Sequence, residues 1–215
     1  MNITITKQKC RLYLITPPDF ILSTLREKLA RALDSGDIAY VQLRLKNASE
    51  QRIVSTIDSL RPIVQARNVP FILNDNPELA YQSGCDGVHI GQNDTDYDDA
   101  RDILGPSAVI GVTCKNNHRH ALLASKKGAN YVAFGAFFPT KTKITHSYAS
   151  PKIINTWSKT MNTPSVAIGG ITPKNCSKLV RAGVNFLAVI SSVWEHTDGP
   201  NAAIKEFNAV ISDNS

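Results

Sequence analysis

The sequence predicts a single α/β domain, a (β/α)8 TIM barrel that spans residues 1–215. Short β-branched runs alternate with longer segments of helical period, and eight such pairs follow one another along the chain. A length of 215 residues lies near the lower end for a complete barrel and suffices to bury a substantial core. Eight alternating units in so short a chain favour a closed barrel over an open sheet. The alternative, an open dinucleotide-binding sheet, lacks its G-x-G-x-x-G motif after the first strand.

Each strand candidate is short and is followed by a helical segment or by a loop that leads into one. The candidates occupy residues 11–16, 40–44, 70–74, 87–90, 109–113, 131–134, 165–168 and 186–190. The first helical segment has an apolar face made of Ile21, Leu22, Leu25, Leu29, Ala32 and Leu33, and the second has one made of Ile53, Ile57, Leu60 and Val64. Thr172 as N-cap and Pro173 in the first turn predict the start of the seventh helix. Residues after about Trp194 predict a final helix with a short polar tail.

The composition indicates which classes of ligand and binding partner to expect. Lys and Arg number 24 against 18 Asp and Glu, and the net charge of +6 is compatible with anionic substrates. Nucleic-acid binding is not expected, because the basic residues are scattered without interleaved aromatic residues. The four cysteines form no C-x-x-C pair and are expected to be buried small hydrophobic residues. Without a recognisable signal peptide or membrane-spanning run, we expect a cytoplasmic protein that does not bind membranes. The sequence is also compatible with a homo-oligomer.

The second predicted strand carries polar side chains on one face. With a period of two residues, Gln42, Arg44 and Lys46 point to the same side, whereas the intervening apolar residues point outward toward the helices. Two cations facing the mouth of a barrel need a counter-charge. One interpretation is a structural salt bridge to an acidic residue on a neighbouring strand. The functional interpretation is a diphosphate or another polyanion, for which Arg and Lys are suited.

The third and fourth predicted strands end close to aspartates, and catalytic groups of such barrels lie at these strand ends. Asp75 and Asp94 are expected to approach one another there and to bind Mg2+ together with phosphate oxygens. The alternative for each is loop capping, with Asp94 capping the helix that starts near Thr95. Asp96, Asp98 and Asp99 are assigned to the first turn of that helix. His89, inside the fourth strand, is expected to be a hydrogen-bonded barrel residue and not a metal ligand.

Strands six to eight are followed by groups that suit a phosphate. Residues 140–143 combine two hydroxyls with two ammonium groups, although a solvated basic turn is the alternative for this segment. The pair Gly169 and Gly170 allows close backbone approach to an anion after strand seven, and serines follow strand eight. No G-x-S-x-G, H-E-x-x-H or Cys–His constellation is evident in the sequence. A site with cations, hydroxyls and a metal but no nucleophile suits departure of a diphosphate group.

The order and the residues of these motifs resemble those of the thiamine-phosphate synthase family over nearly the whole chain. The motifs are residues 12–16 (LYLIT), 41–44 (VQLR), 73–75 (LND), 87–92 (GVHIGQ), 135–143 (GAFFPTKTK) and 167–171 (AIGGI). The resemblance implies condensation of two phosphorylated small molecules, hydroxymethylpyrimidine diphosphate and thiazole phosphate, to give thiamine phosphate and diphosphate. It also implies a dissociative mechanism, in which diphosphate leaves before the thiazole nitrogen attacks.

The resemblance further implies a role for each matching residue. The pyrimidine diphosphate would be bound by Gln42, Arg44, Lys46, Asn74, Thr113 and Lys143, of which Arg44, Thr113 and Lys143 would be catalytic. The thiazole phosphate would be bound by Thr140, Thr142, Gly170, Ile190 and Ser191. Mg2+ would be held by Asp75 and Asp94. Many relatives carry Ser where this chain has Thr113, so that the hydroxyl is kept and a methyl group is added.

Two other functions are compatible with the same motifs. A thiazole tautomerase has a similar fold and binds the thiazole phosphate, but it has no diphosphate to hold. A non-catalytic phosphate-binding barrel is the alternative from another class. The complete set of Asp75 and Asp94 with Gln42, Arg44 and Lys46 favours the synthase over both.

Overall fold

The computed structural model describes residues 9–140 and 148–215, and its strands form one closed parallel barrel. The strands are β1 (Arg11–Ile15), β2 (Ile38–Leu43), β3 (Phe71–Asn74), β4 (Gly87–Ile90), β5 (Val109–Lys115), β6 (Tyr131–Gly135), β7 (Ser165–Ile168) and β8 (Phe186–Val189). Each strand pairs with the next in the sequence, and β8 pairs with β1. The predicted barrel is therefore confirmed. All eight predicted strands are present, with ends that differ by two residues or fewer.

Helices cover the outside of the barrel. They are α1 (Leu22–Leu33), α2 (Glu50–Gln65), α3 (Pro77–Gln82), α4 (Tyr97–Leu104), α5 (His118–Lys127), α6 (Pro151–Thr160), α7 (Ser177–Arg181), α8 (Ser191–Trp194) and α9 (Gly199–Asn214). The predicted final helix is confirmed as α9, which extends through most of the expected polar tail. Within the described ranges, every helix is too short or too polar to cross a membrane.

Two details of the predicted helices are wrong. Ile21 does not belong to the buried face of α1, because it precedes the helix and its exposed fraction is 72%. The helix α7 does not begin at Thr172 and Pro173, since the residues before Ser177 form a turn. In this turn Asn175 accepts a hydrogen bond from the backbone N–H of Thr172 through its Oδ1 at 2.9 Å. A side chain with its own local hydrogen bond competes with helix formation, and the helix starts later.

Alternation along the strands divides the core into two layers. In β1, Leu12 and Leu14 point outward into the large apolar layer between strands and helices, which also takes up the predicted apolar faces of α1 and α2. Tyr13 and Ile15 point into the barrel, where they join a smaller cluster that contains Tyr131. This inner cluster closes the barrel below the carboxyl ends of the strands.

At the amino ends of the strands, polar side chains have a structural role. Asp86, just before β4, accepts a hydrogen bond from the backbone N–H of Phe71 at 2.7 Å. Asn185, just before β8, does the same for the buried Ser165 at 2.9 Å. These side chains pair backbone groups at the start of β3 and β7 that would otherwise be buried without a partner. The functional groups are left to the opposite end of the barrel.

The cysteines behave as the sequence predicts. All four are free, and Cys10, Cys114 and Cys176 are buried while Cys85 is partly buried. Burial raises the pKa of the Cys10 and Cys114 thiols to about 12. A thiol with so high a pKa is a poor nucleophile near neutral pH, so these residues act as small apolar core residues.

Candidate active site

A pocket of about 810 Å³ occupies the mouth of the barrel at the carboxyl ends of the strands. It is lined by every expected site residue that lies within 9–140 and 148–215. On the side of strands β2 to β4 these are Gln42, Arg44, Lys46, Asn74, Asp75 and Asp94. Thr113 lies between the two sides, on β5, and on the other side they are Thr140, Gly170, Ile190 and Ser191. Thr142 and Lys143 lie outside the described residues.

The end of β2 is held by hydrogen bonds to both neighbouring strands. Gln42 is 3% exposed, and its Nε2 donates to Oδ1 of Asn74 at 2.6 Å. The backbone N–H of Arg44 donates to the Thr16 hydroxyl at 3.0 Å, which ties the end of β2 to that of β1. The strand itself ends at Leu43, so that Arg44 and Lys46 belong to the loop that follows and not to the strand. Both side chains still line the pocket, as the alternation predicts.

Two carboxylates meet beside Lys46. The Lys46 ammonium lies 2.7 Å from Oδ2 of Asp75, so the structural salt bridge considered from the sequence is present. Burial raises the pKa of Asp94, and so does its hydrogen bond to the neighbouring Asp75, while the backbone N–H of Gly91 opposes this shift. That N–H donates to Oδ2 of Asp94 at 2.6 Å. The geometry brings two oxygen-donor side chains to the same point, as the sequence predicts.

Asp94 does not cap α4, so that part of the capping alternative is wrong, but Asp94 does accept a hydrogen bond from the backbone N–H of Gly91 and so caps its own loop. Asn76 caps α3, and its Oδ1 accepts a hydrogen bond from the backbone N–H of Leu79 at 2.8 Å. Asp96 caps α4, which begins two residues later than expected from Thr95. Asp98 and Asp99 lie in the first turn of α4, as predicted. Asp75 and Asp94 both line the pocket.

His89 is a hydrogen-bonded barrel residue, as predicted. Its Nδ1 lies 3.1 Å from the Tyr131 hydroxyl, and its Nε2 lies 2.7 Å from Oγ1 of Thr113. The Tyr131 hydroxyl lies 2.7 Å from that of Tyr13. His89, Thr113 and Tyr13 all line the pocket. Among the described residues, no cluster of three or more His, Cys, Asp or Glu side chains has the arrangement of a metal site.

The opposite side of the pocket is made largely of backbone. Gly169 and Gly170 both adopt positive φ angles, 103° and 61°. A Cβ atom on Gly170 would lie 2.2 Å from the carbonyl oxygen of Pro139, so only glycine fits against the loop after β6. Thr140 follows in that loop and lines the pocket. Pro139, Thr140, Gly169 and Gly170 all line the pocket, so these two loops together form this side of it.

Two charged pocket residues are not among those predicted from the sequence. They are Lys115 and Glu195. Lys115 was detectable, because a period of two places it on the same face of β5 as Thr113. The Ser192 hydroxyl is buried and has no hydrogen-bond partner among the described residues. An unpaired buried hydroxyl at the edge of a pocket is a group available to a ligand.

The closed barrel and the polar pocket at the carboxyl ends of its strands define the class, that of (β/α)8-barrel enzymes. The family model described as thiamine monophosphate synthase matches residues 12–193. The chain belongs to the thiamine monophosphate synthase family, which confirms the resemblance indicated by its motifs.

Individual proteins agree with this assignment. The chain is 54% identical over 202 residues to the thiamine-phosphate synthase of Rhodospirillum centenum, with 94% of this chain and 98% of that protein covered. It is 44% identical over 213 residues to the thiamine-phosphate synthase of Hyphomonas neptunium, with 95% of each covered. A solved structure of thiamine phosphate pyrophosphorylase from Pyrococcus furiosus superposes with a TM-score of 0.83 at 29% identity, covering 96% of this chain and 98% of that one.

Proposed function

We propose that the chain is a single catalytic domain that condenses 4-amino-2-methyl-5-(diphosphooxymethyl)pyrimidine with 4-methyl-5-(2-phosphoethyl)thiazole in thiamine biosynthesis. The products are thiamine phosphate and diphosphate. The observation that carries the proposal is the division of one pocket of about 810 Å³ into two unlike sides. Arg44, Lys46, Asp75 and Asp94 lie together on one side, whereas Thr140, Gly170 and Ser191 lie on the other. Two phosphorylated substrates with different charge fit such a pocket, and family membership supports their identity.

The diphosphate side has the donor set that Mg2+ requires. Asp75 and Asp94 provide carboxylate oxygens at one point, and Mg2+ is commonly held by one or two carboxylates plus substrate phosphates and water. Two carboxylates close together also favour a cation between them; burial, and after it the neighbouring Asp75, raises the pKa of Asp94. We therefore propose that these residues would hold Mg2+, which supplies Lewis-acid stabilisation of the leaving diphosphate.

The remaining side chains of this half bind and orient the diphosphate. Arg44 offers a planar pair of N–H donors, while Lys46, freed from Asp75 by the incoming charge, contributes a point charge. Gln42 and Asn74 are fixed to one another by their hydrogen bond and face the pyrimidine. The carbon–oxygen bond to the diphosphate breaks first, and the electron pair leaves with the oxygen. We assign Thr113 and Lys143 to stabilising that negative charge.

The second half of the reaction needs the thiazole held still beside the cation. The phosphate of the thiazole is assigned to Thr140, Thr142, Gly170, Ile190 and Ser191, with Ser192 as a further hydroxyl. Anchored there, the thiazole nitrogen donates its lone pair to the pyrimidine methylene carbon, and the new carbon–nitrogen bond completes thiamine phosphate. No protein nucleophile takes part in either step. Positioning and charge stabilisation carry the catalysis.

The decisive experiment is incubation of the purified chain with both substrates, with and without Mg2+. We expect thiamine phosphate and diphosphate in equal amounts, and only when Mg2+ is present. Conversion of the thiazole substrate between tautomers without coupling would identify a tautomerase instead. Binding of either substrate with no turnover under any condition would identify a non-catalytic binder. Both of these results contradict the proposal.

Replacement of Thr140 by Ala tests which side of the pocket holds the monophosphate. The hydroxyl that would donate to the phosphate is removed, and a hydrogen bond to a charged group contributes about tenfold in affinity. We expect KM for the thiazole phosphate to rise by about this factor, while KM for the diphosphate substrate changes less than twofold. Thr160→Ala is the control, because Thr160 is exposed on α6 and its hydroxyl donates to the backbone carbonyl of Thr156 in the same helix. A larger change for the diphosphate substrate would reverse the assignment of the two sides.

A further inference from the structure

A row of hydrogen bonds runs from the pocket into the barrel, and the proposed chemistry uses only its first member. Thr113 lies at the pocket, His89 contacts it through Nε2, and Tyr131 contacts the other ring nitrogen. Tyr13 ends the row at the centre of the barrel. Tyr13 and Tyr131 are 1% and 0% exposed, so both phenols are buried, with Tyr13 at the floor of the pocket.

Packing inside the barrel fixes the position of the Tyr131 ring. Its ring stacks on that of His89 with centroids 5.7 Å apart and planes 12° apart. The space that it fills is left by Gly111, where an added Cβ would lie 1.9 Å from the Tyr131 ring. Gly111 and Thr113 point to the same side of β5, so the missing side chain lies directly below the hydroxyl at the pocket. A large aromatic residue is thus admitted beneath the site and held there.

The hydrogen bonds of this row can be donated in one of two directions. A neutral imidazole carries one N–H, and each hydroxyl donates one proton. If Nδ1 of His89 donates to Tyr131, then Tyr131 must donate to Tyr13. The buried Tyr13 hydroxyl would then have no acceptor among the described residues, which is costly for a buried donor.

In the opposite direction, every donor of the row has an acceptor. Tyr13 donates to the oxygen of Tyr131, Tyr131 donates to Nδ1 of His89, and Nε2–H of His89 donates to Oγ1 of Thr113. Burial raises the pKa of Tyr131 well above its ordinary value, so this phenol keeps the proton that it donates. The Thr113 hydroxyl then accepts from His89, and its own proton is directed to a group in the pocket. An anion requires such a donor.

We propose that Tyr131 is a positioning residue, which fixes His89 as the Nε2–H tautomer and so turns the Thr113 hydroxyl proton toward the diphosphate. This inference rests on the proposed function for the identity of the anion. The row of bonds itself, and the tautomer that it selects, exist without substrate. The two can therefore be tested separately.

The tautomer is read from the 15N chemical shifts of the His89 ring in the free protein. We expect a protonated Nε2 in the natural chain and loss of this preference in Tyr131→Phe, which removes only the hydroxyl. Tyr13→Phe is the matched control, since it removes a phenol from the same buried cluster but leaves the bond between Tyr131 and His89. A protonated Nδ1 in the natural chain overturns the inference, as does an unchanged tautomer in Tyr131→Phe. Neither result depends on catalysis.

Titration calorimetry with inorganic diphosphate in Mg2+ buffer tests the consequence for binding. Tyr131→Phe and Thr113→Val are each expected to weaken affinity by about tenfold, the scale of a hydrogen bond to a charged group. Together they should weaken it by little more than one alone, because both act through the same hydroxyl proton. Thr113→Ser is expected to recover most of the affinity that Thr113→Val loses.

The outcomes separate the two proposals. Additive losses in the double variant, or full affinity in Tyr131→Phe, contradict the positioning role while thiamine phosphate is still formed. A natural chain that forms no thiamine phosphate and binds no diphosphate contradicts the proposed function. In that case the 15N shifts still decide whether Tyr131 selects the tautomer of His89.

Discussion

Asp75→Asn is expected to lower kcat/KM by about a hundredfold or more, the scale of losing a charge contact to the transition state. Asp75 is one of two carboxylates proposed to hold Mg2+, and an amide oxygen is a weaker ligand without charge. The Mg2+ concentration needed for half-maximal rate should rise as well, because the metal site loses half of its negative charge. Steady-state rates measured over a Mg2+ series check both effects.

The choice of Asn is dictated by the backbone. Asp75 has a φ angle of 72°, a left-handed conformation that Asn tolerates and Ala does not. Asp98→Asn is the matched control, since Asp98 is an exposed acid in the first turn of α4 whose Oδ2 lies 2.7 Å from Lys127. The control is expected to retain full activity. Activity of Asp75→Asn within twofold of the natural chain would show that the metal assignment is wrong.

Gly170→Ala is expected to damage both stability and the monophosphate side of the pocket. The φ angle of 61° disfavours Ala by about 1–2 kcal/mol. The added Cβ would also lie 2.2 Å from the Pro139 carbonyl oxygen, so the loop after β6 must move. We expect the free energy of unfolding in urea to fall by at least about 2 kcal/mol and KM for the thiazole phosphate to rise at least about tenfold.

Gly199→Ala separates the two causes. Gly199 also has a positive φ angle, 83°, but a Cβ there would meet no atom within 4 Å. This control should lose only about 1–2 kcal/mol of stability and leave both KM values unchanged. Equal loss of stability in the two variants, with an unchanged KM in Gly170→Ala, would mean that the loop contact has no role in binding.

The location of the pocket residues was largely predictable because it depends on local periodicity and on topology. Alternation in β2 places Gln42 and Arg44 toward the mouth, and the parallel barrel brings the ends of β3 and β4 together. Asp75 and Asp94 meet for that reason, although they are separated along the chain. Both conclusions follow from patterns that the sequence contains.

Helix ends were predicted less well. Thr172 and Pro173 form a suitable N-cap pair, yet Asn175 captures the backbone N–H of Thr172 and a turn results. Asp94 was an equally suitable cap in sequence, and Asp96 is the one used. Several polar residues near a helix start satisfy the same backbone groups, and the path of the loop decides among them.

The sequence by itself determined the barrel, the polar residues at its mouth and the family, because strand period and motif order are local features of the chain. Only the tertiary structure decided which side chains inside the barrel are hydrogen-bonded to one another. The bonds of His89 to Thr113 and to Tyr131 span 24 and 42 residues and join three strands. Such contacts depend on closure of the barrel and on the space above Gly111, neither of which a local pattern encodes.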